Sequence, residues 1–317
     1  MALFLTESDV ENLLKMTDAV RVVEEALREL GAGNAVNRPR QRVHVPNGIL
    51  HVMPAGLSKR GYVGFKYYSS FPPKTRFWFH LIDAKNGDVL SVMQADRLGQ
   101  QRTGAASGVA TKYLARAEAA TVGILGTGWQ AESQLEAICT VRDIRLVRCY
   151  SLNSEHRKVF AKKMSAQLKV DVRGVDSAAE AVGDADVVVT ATSAREPVLR
   201  GEWVAPGTHV NAVGSNRAAS RELDDEVINR SSFICADSLE QAKIEAGDLI
   251  SPAERGVLSW QRVHELSEVV AAQVQGRAGR DAVTLFKSTG IALEDVAVGA
   301  WVFERAREQG MGKEISL

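Results

Sequence analysis

Apolar positions change their spacing twice along this chain, and each change marks a different kind of structure. Over residues 1–34 they recur at helical intervals, with Val20, Val23, Leu27 and Leu30 on one face. Thr6 ahead of Asp9, and Thr17 ahead of the apolar run, stand as N-caps; Gly31 and Gly33 end the helical pattern. From about residue 40 to 95 the spacing shortens to β-like runs at 41–45, 49–53, 63–68, 77–83 and 89–94. The turns Pro46-Asn47-Gly48, Lys59-Arg60-Gly61 and Lys85-Asn86-Gly87 separate them, which predicts an antiparallel sheet. A helix over residues 102–115, rich in small residues from Gly104 to Gly108, follows. Strands then alternate with helices: strands near 120–125, 144–151, 170–172, 185–190, 209–213 and 232–236, helices over 129–138, 155–168 and from Ser177 and Leu239. That alternation predicts a parallel sheet covered on both faces. Residues 290–310 form an amphipathic helix that returns to the N-terminal part or to a partner subunit.

The turn after the first of these strands carries chemistry. Ala120 to Leu125 is the strand; Gly126-Thr127-Gly128-Trp129-Gln130-Ala131 fills the G-x-G-x-x-A form of the dinucleotide fingerprint. Gly126 permits the tight turn, Gly128 lets backbone approach a pyrophosphate, and Ala131 lets helix pack on strand. The helix N-terminus offers unpaired N–H groups and a positive dipole end to phosphate. Thr127, Trp129 and Gln130 belong to the same turn, and Thr190 and Thr192 end a later strand, where ligands bind in open α/β sheets.

Composition narrows the class. With 317 residues, two domains are the natural expectation. Lys plus Arg and Asp plus Glu both number 39, so no overall field favours nucleic acid or an anionic membrane. The three cysteines, Cys139, Cys149 and Cys235, lie far apart, and no His spacing fits a metal; we expect no disulfide and no metal. The N-terminus lacks a signal-peptide pattern and nothing approaches the ~18 apolar residues of a membrane span, so the expected location is cytoplasmic.

The form of the cofactor is read at the end of the second strand of the alternating region, Tyr150-Ser151-Leu152-Asn153-Ser154-Glu155-His156-Arg157. An NAD site places a carboxylate there against the ribose 2′-hydroxyl. None occupies Tyr150, Ser151 or Leu152, whereas Ser151, Asn153 and Arg157 suit a 2′-phosphate. The expectation is NADP, with NADPH preferred and NAD possible through Glu155.

The run Gln100-Gln101-Arg102-Thr103-Gly104-Ala105-Ala106-Ser107, the fingerprint, Val187 to Ser193, Val210-Asn211-Ala212-Val213-Gly214 and Phe286-Lys287-Ser288-Thr289-Gly290 together resemble the ornithine cyclodeaminase/μ-crystallin family, in its motif order and over nearly the whole chain. The resemblance implies an α/β fold: a Rossmann dinucleotide-binding domain at 113–287, and an α+β substrate and dimerisation domain at 1–112 plus 288–317, in a homodimer. Lys66 matches the family's active-site lysine. Arg42 resembles the arginine that grips the substrate carboxylate, and Arg102 the one shared between carboxylate and cofactor. Thr103 would bond a phosphate, Val213 and Gly214 would lie along the cofactor, and Ser288 would reach the nicotinamide carboxamide. His51 and Tyr68 are weaker pocket candidates; packing is the commoner role for such residues on a strand. For the aromatic cluster Phe71, Phe77, Trp78 and Phe79, core or dimer contact outweighs a pocket.

One departure directs the chemistry. Cyclodeaminases and alanine dehydrogenases of this family carry an aspartate where this chain has Asn216. An amide donates and accepts hydrogen bonds but takes no proton as a base. Around this loop the resemblance, including Arg221-Glu222-Leu223, is to the ketimine reductase-like branch. It implies an NAD(P)H-dependent reductase of a small cyclic imino acid, with Asn216 orienting substrate or nicotinamide. An ornithine cyclodeaminase, an alanine dehydrogenase or an acyclic imine reductase with the same site remains open, as does a non-enzymatic NADP-dependent binding protein.

Overall fold

The computed structural model describes residues 1–316, which form two compact units: residues 1–102 with the chain from Gly290 on, and residues 103–289. The division falls at 102/103 and 289/290, where 112/113 and 287/288 were expected. Small residues explain the first difference. A Cβ on Gly104 would lie 2.4 Å from the Ser133 carbonyl oxygen, so the helix Asp96–Leu114 already packs backbone to backbone against the helix Trp129–Val141 at that point.

The first unit is a sheet with helices on one side. Its strand order is Lys313–Ile315, Ala2–Leu5, Val89–Gln94, Lys74–Asp83, Tyr62–Phe71, Gly48–Leu57, Ala35–Asn37, with Gln41–Val45 also on Gly48–Leu57. The expected runs at 49–53, 63–68 and 77–83 lie within the longer strands Gly48–Leu57, Tyr62–Phe71 and Lys74–Asp83. Alternation divides the faces. Met53, Ala55, Lys66, Phe79 and Met93 point inward and are buried, whereas Val43, Val45, Val63 and Phe71 are exposed. The inner face is covered by the helix Ala292–Gln309, which also packs on the helix Met16–Gly31. Gly299 makes that contact close: a Cβ there would stand 2.2 Å from Phe79.

Two details of the N-terminus differ from expectation. Thr6 closes a capping box with Asp9, as its spacing predicts, but it follows a strand, Ala2–Leu5. That strand pairs with Val89–Gln94 and Lys313–Ile315, partners remote in sequence, so no local signal marks it. Thr17 lies inside the helix Met16–Gly31, whose N-cap is Lys15 with no side-chain bond; burial of Met16, Ala19 and Val20 sets its start.

The second unit is the Rossmann-like half, a wholly parallel eight-stranded sheet. Its order is Asp171–Gly174, Leu146–Tyr150, Thr121–Leu125, Val187–Thr190, His209–Ala212, Val283–Lys287, Ser231–Ala236, Val263–Glu265. The chain reverses direction across the sheet between Thr121–Leu125 and Val187–Thr190, and a crevice opens at the carboxyl ends of strands at such a point. The strand Val187–Thr190 is buried throughout, and Val122, Ile124, Val147 and Val210 join it in the core. Among the described residues no helix is long and apolar enough to cross a membrane.

Candidate active site

The crevice of the second unit is a cleft of about 910 Å³, walled by the glycine turn, by Tyr150 to Asn153 with His156, and by Ala191 to Ala194. Gly126 has φ +102, and a Cβ on it would sit 2.3 Å from the Ala191 carbonyl oxygen, so only glycine fits. At Gly128 a Cβ would meet nothing within 4 Å: it would project into open cleft space, where a pyrophosphate approaches backbone. Gly128 is the N-cap of the helix Trp129–Val141 and has no side chain to satisfy that terminus. These residues fit a dinucleotide. Of the cofactor-binding residues expected from sequence, Gly126, Thr127, Gly128, Trp129, Gln130, Ser151, Asn153 and Thr192 line the cleft. No carboxylate does.

The others have different engagements. Arg157 donates to the Ser151 carbonyl (2.7 Å) and pairs with Asp176 (2.9 Å). Asn153 caps the helix Ser154–Leu168, accepting from the N–H groups of Glu155 and His156, while Thr127 donates to the Ser151 hydroxyl. Thr190 is buried and turned toward Glu222 rather than toward ligand space. Ser288 is buried, and its hydroxyl donates to Asp237 at 3.0 Å. Thr103 is buried, and its carbonyl accepts from Gln134.

Glu222 is the organising residue that sequence reading missed. Fully buried, it accepts from the hydroxyls of Thr190 and Thr192 and from the N–H groups of Thr192 and Gly214, at 2.7–2.9 Å. One carboxylate thus ties together the ends of two neighbouring strands. Gly214 must be glycine to allow it, since a Cβ would meet Glu222 at 2.3 Å. Burial pushes the Glu222 carboxyl up, and the nearby Lys287 opposes that shift. Lys287 itself is buried against Asp248 (2.8 Å) and donates to the Ser215 carbonyl, beside the half-buried Asn216. Val213, Gly214 and Asn216 lie on this loop outside the cleft wall.

The first unit concentrates charge. Lys66 donates to Asp295 at 2.8 Å, and Arg102 reaches the same Asp295 oxygen at 3.1 Å and Glu294 at 2.8 Å. Arg40 donates to the Gly290 carbonyl at 3.1 Å. All five side chains are buried: Arg40 5%, Lys66 3%, Arg102 6%, Glu294 1% and Asp295 0% exposed. Burial, and then Arg102, lower the Lys66 ammonium to about 8, with Asp295 acting in the opposite direction. Arg42 is half-buried on Gln41–Val45, paired with His51, and His51 stacks on Tyr68 at 4.0 Å.

Arg40, Glu294 and Asp295 were not expected. Arg40 carried a signal, because it precedes Arg42 by two residues, the period of one strand face. The adjacent acids Glu294 and Asp295 inside the apolar run 291–300 carried another: charges are placed there only when paired.

Comparison with known proteins identifies the family. The sequence model of the ornithine cyclodeaminase/mu-crystallin family matches residues 1–310. The chain is similar to the alanine dehydrogenase of Archaeoglobus fulgidus, 37% identical over 99% of this chain and 98% of the relative. It is 34% identical to the ketimine reductase mu-crystallin of Macropus fuliginosus, over 95% and 96% of the two chains. Among solved structures, the Δ1-pyrroline-2-carboxylate reductase of Thermococcus litoralis, in complex with NADH and L-proline, superposes with TM-score 0.95 at 39% identity, covering 99% of this chain and all of that one.

Proposed function

The chain belongs to the ornithine cyclodeaminase/mu-crystallin family, and from that premise we propose that it reduces small cyclic imino acids at the expense of NAD(P)H. The observation that carries this reading is the buried charge cluster of the first unit. Three cations, Arg40, Lys66 and Arg102, stand against two carboxylates, Glu294 and Asp295. Buried guanidinium groups gathered beside a buried lysine suit a substrate that carries a carboxylate. Arginine binds such a group through two parallel bonds and so orients the adjacent carbon.

The substrate is a preformed imine of the Δ1-pyrroline-2-carboxylate or Δ1-piperideine-2-carboxylate kind. A dinucleotide held by its pyrophosphate at Gly126 and Gly128 would, in its reduced form, supply the hydride. The carbon of the C=N bond takes that hydride, the nitrogen takes a proton from the Lys66 ammonium, and solvent returns a proton to Lys66. Arg102, Arg40 and Arg42 hold the carboxylate; Asn216 orients the substrate or the nicotinamide ring. Reduction of a preformed imine needs no base in place of the missing aspartate.

NADPH is the preferred donor. The cleft wall offers no carboxylate for a ribose 2′-hydroxyl, and Ser151, Asn153 and His156 lie at that end. Arg157 joins them by exchanging Asp176, whose carboxylate is 98% exposed, for a 2′-phosphate. The working form is a homodimer through the exposed face of the antiparallel sheet, where Val43, Val45, Val63 and Phe71 lie.

The test is oxidation of NADPH and of NADH with the five- and six-membered cyclic imino carboxylates, with ornithine, and with pyruvate plus ammonia. Turnover of a cyclic imine without ammonia, and none of ornithine, is expected. The similarity to alanine dehydrogenase favours a second reading, and ammonia-dependent reduction of pyruvate with silent imines would replace the first by it.

A further inference from the structure

The buried pair of acids on the C-terminal helix is not needed to bind a carboxylate, which it would repel. Its geometry gives it a different task. A single oxygen of Asp295, Oδ1, accepts from both Lys66 Nζ (2.8 Å) and Arg102 Nε (3.1 Å), so one atom sets the positions of two cations. Glu294, its neighbour, takes Arg102 from another nitrogen, Nη1. Arg102 is therefore clamped by two successive residues, while Asp295 is the carboxylate bonded to Lys66.

The element supplies the reason that a carboxylate can be kept there. Glu294 and Asp295 lie in the first turn of the helix Ala292–Gln309, whose N-cap, Ile291, makes no side-chain bond. The positive end of the helix favours negative charge at that turn. Lys66 arrives from the strand Tyr62–Phe71, opposite Met53 on one neighbouring strand and Phe79 on the other. Both of those neighbours are apolar and buried. The charged groups that act on Lys66 are Arg102 from the helix Asp96–Leu114, Arg40, and Asp295 from the C-terminal helix, with Glu294 bonded to Arg102. Two arginines and a desolvating pocket act against its charge; the bonded Asp295 opposes them.

We propose that Asp295 is the positioning residue that keeps Lys66 protonated and aimed as the proton donor of the reduction. This deepens the imine-reductase reading and rests on it. The step itself is balanced without Asp295: the nitrogen gains the Lys66 proton, and Lys66 regains one from solvent. Asp295 acts through Lys66 and Arg102, to which its Oδ1 is bonded, and takes no part in the transfer itself. Its part is to make the ammonium the populated form at neutral pH, despite burial and two neighbouring guanidinium groups.

The experiment compares the whole protein with Asp295→Asn and Asp295→Glu. In the unaltered protein kcat/KM for the cyclic imine falls as pH rises through about 8, where Lys66 loses its proton. In Asp295→Asn that descending limb moves to lower pH by about one unit or more, because the opposing charge is gone. Asp295→Glu restores it toward its original position. A second measurement is independent of turnover: the pH midpoint of the Lys66 13Cε resonance, assigned by its loss in Lys66→Met, should fall in Asp295→Asn. A uniform drop in rate with both the limb and the resonance midpoint unmoved would assign Asp295 a merely structural role and overturn the proposal. If Asp295→Asn does not fold, Asp295→Ser takes its place in both measurements, and an unmoved Lys66 midpoint there overturns the proposal. Absence of imine turnover by the unaltered protein would defeat the functional reading alone, since the resonance still reports on Asp295.

Discussion

At the scale of single residues, the two fingerprint glycines serve different ends, and substitution separates them. Gly126 is at φ +102 against the Ala191 carbonyl, so Gly126→Ala strains the fold by about 1–3 kcal/mol and displaces the turn. Gly128 faces open cleft, so Gly128→Ala leaves the fold alone and intrudes only on a bound pyrophosphate. Thermal unfolding with nucleotide titration checks this. Gly126→Ala should lower both Tm and affinity, and Gly128→Ala should weaken NADPH binding about tenfold or more with Tm unchanged. Loss of Tm in Gly128→Ala would mean that the turn is tighter than its geometry shows.

At the scale of elements, the C-terminal helix is both a packing member and the carrier of Glu294 and Asp295. Its seat on the sheet depends on Gly299, against which the Phe79 ring lies. Gly299→Ala adds a methyl group where no space exists, and overpacking of this kind costs about 1–3 kcal/mol. We expect a matching fall in stability by urea unfolding, together with reduced imine turnover, because the same helix holds Lys66 and Arg102. Nucleotide affinity should be spared, since the glycine turn belongs to a different unit. A variant that loses nucleotide affinity and keeps its stability would contradict this account.

At the scale of the whole molecule, buried groups set a pH dependence of stability. His209 is fully buried between the Thr284 hydroxyl (2.9 Å) and the Asn211 amide oxygen (3.2 Å), and burial lowers it to about 3. A base with a depressed folded pKa stays neutral while the unfolded chain takes up a proton below its ordinary value, roughly 6.5. Its contribution is therefore lost as pH falls through about 6.5 toward 3, on the order of 1 kcal/mol by about pH 5.5. Urea unfolding at about pH 7.5 and 5.5 should show that component in the unaltered protein and not in His209→Asn. An equal acid response in both would remove His209 from the explanation. The proposed dimer is tested at the same scale. Val43→Asp places a charge on the exposed sheet face, where Val43 is 54% exposed, and light scattering should then report half the mass. A monomeric mass for the unaltered protein would rule the dimer out.

The sequence by itself determined the Rossmann-like half, because strand, glycine turn and helix are local patterns whose apolar periods and backbone demands are written in adjacent residues. The family motifs likewise placed Lys66 and Arg102, which the fold brings together in one buried cluster. What only the tertiary structure decided are the partners. Asp295 lies 229 residues from Lys66 in the chain, and Glu222 lies 32 and 30 residues from Thr190 and Thr192. The strand Ala2–Leu5 has its mates at 89–94 and 313–315. A buried charge or an unpaired strand needs a partner, but its own neighbours in sequence do not say which one. That choice follows from how helix and sheet pack, and it bonds the hydroxyls of Thr190, Thr192 and Ser288 to buried carboxylates.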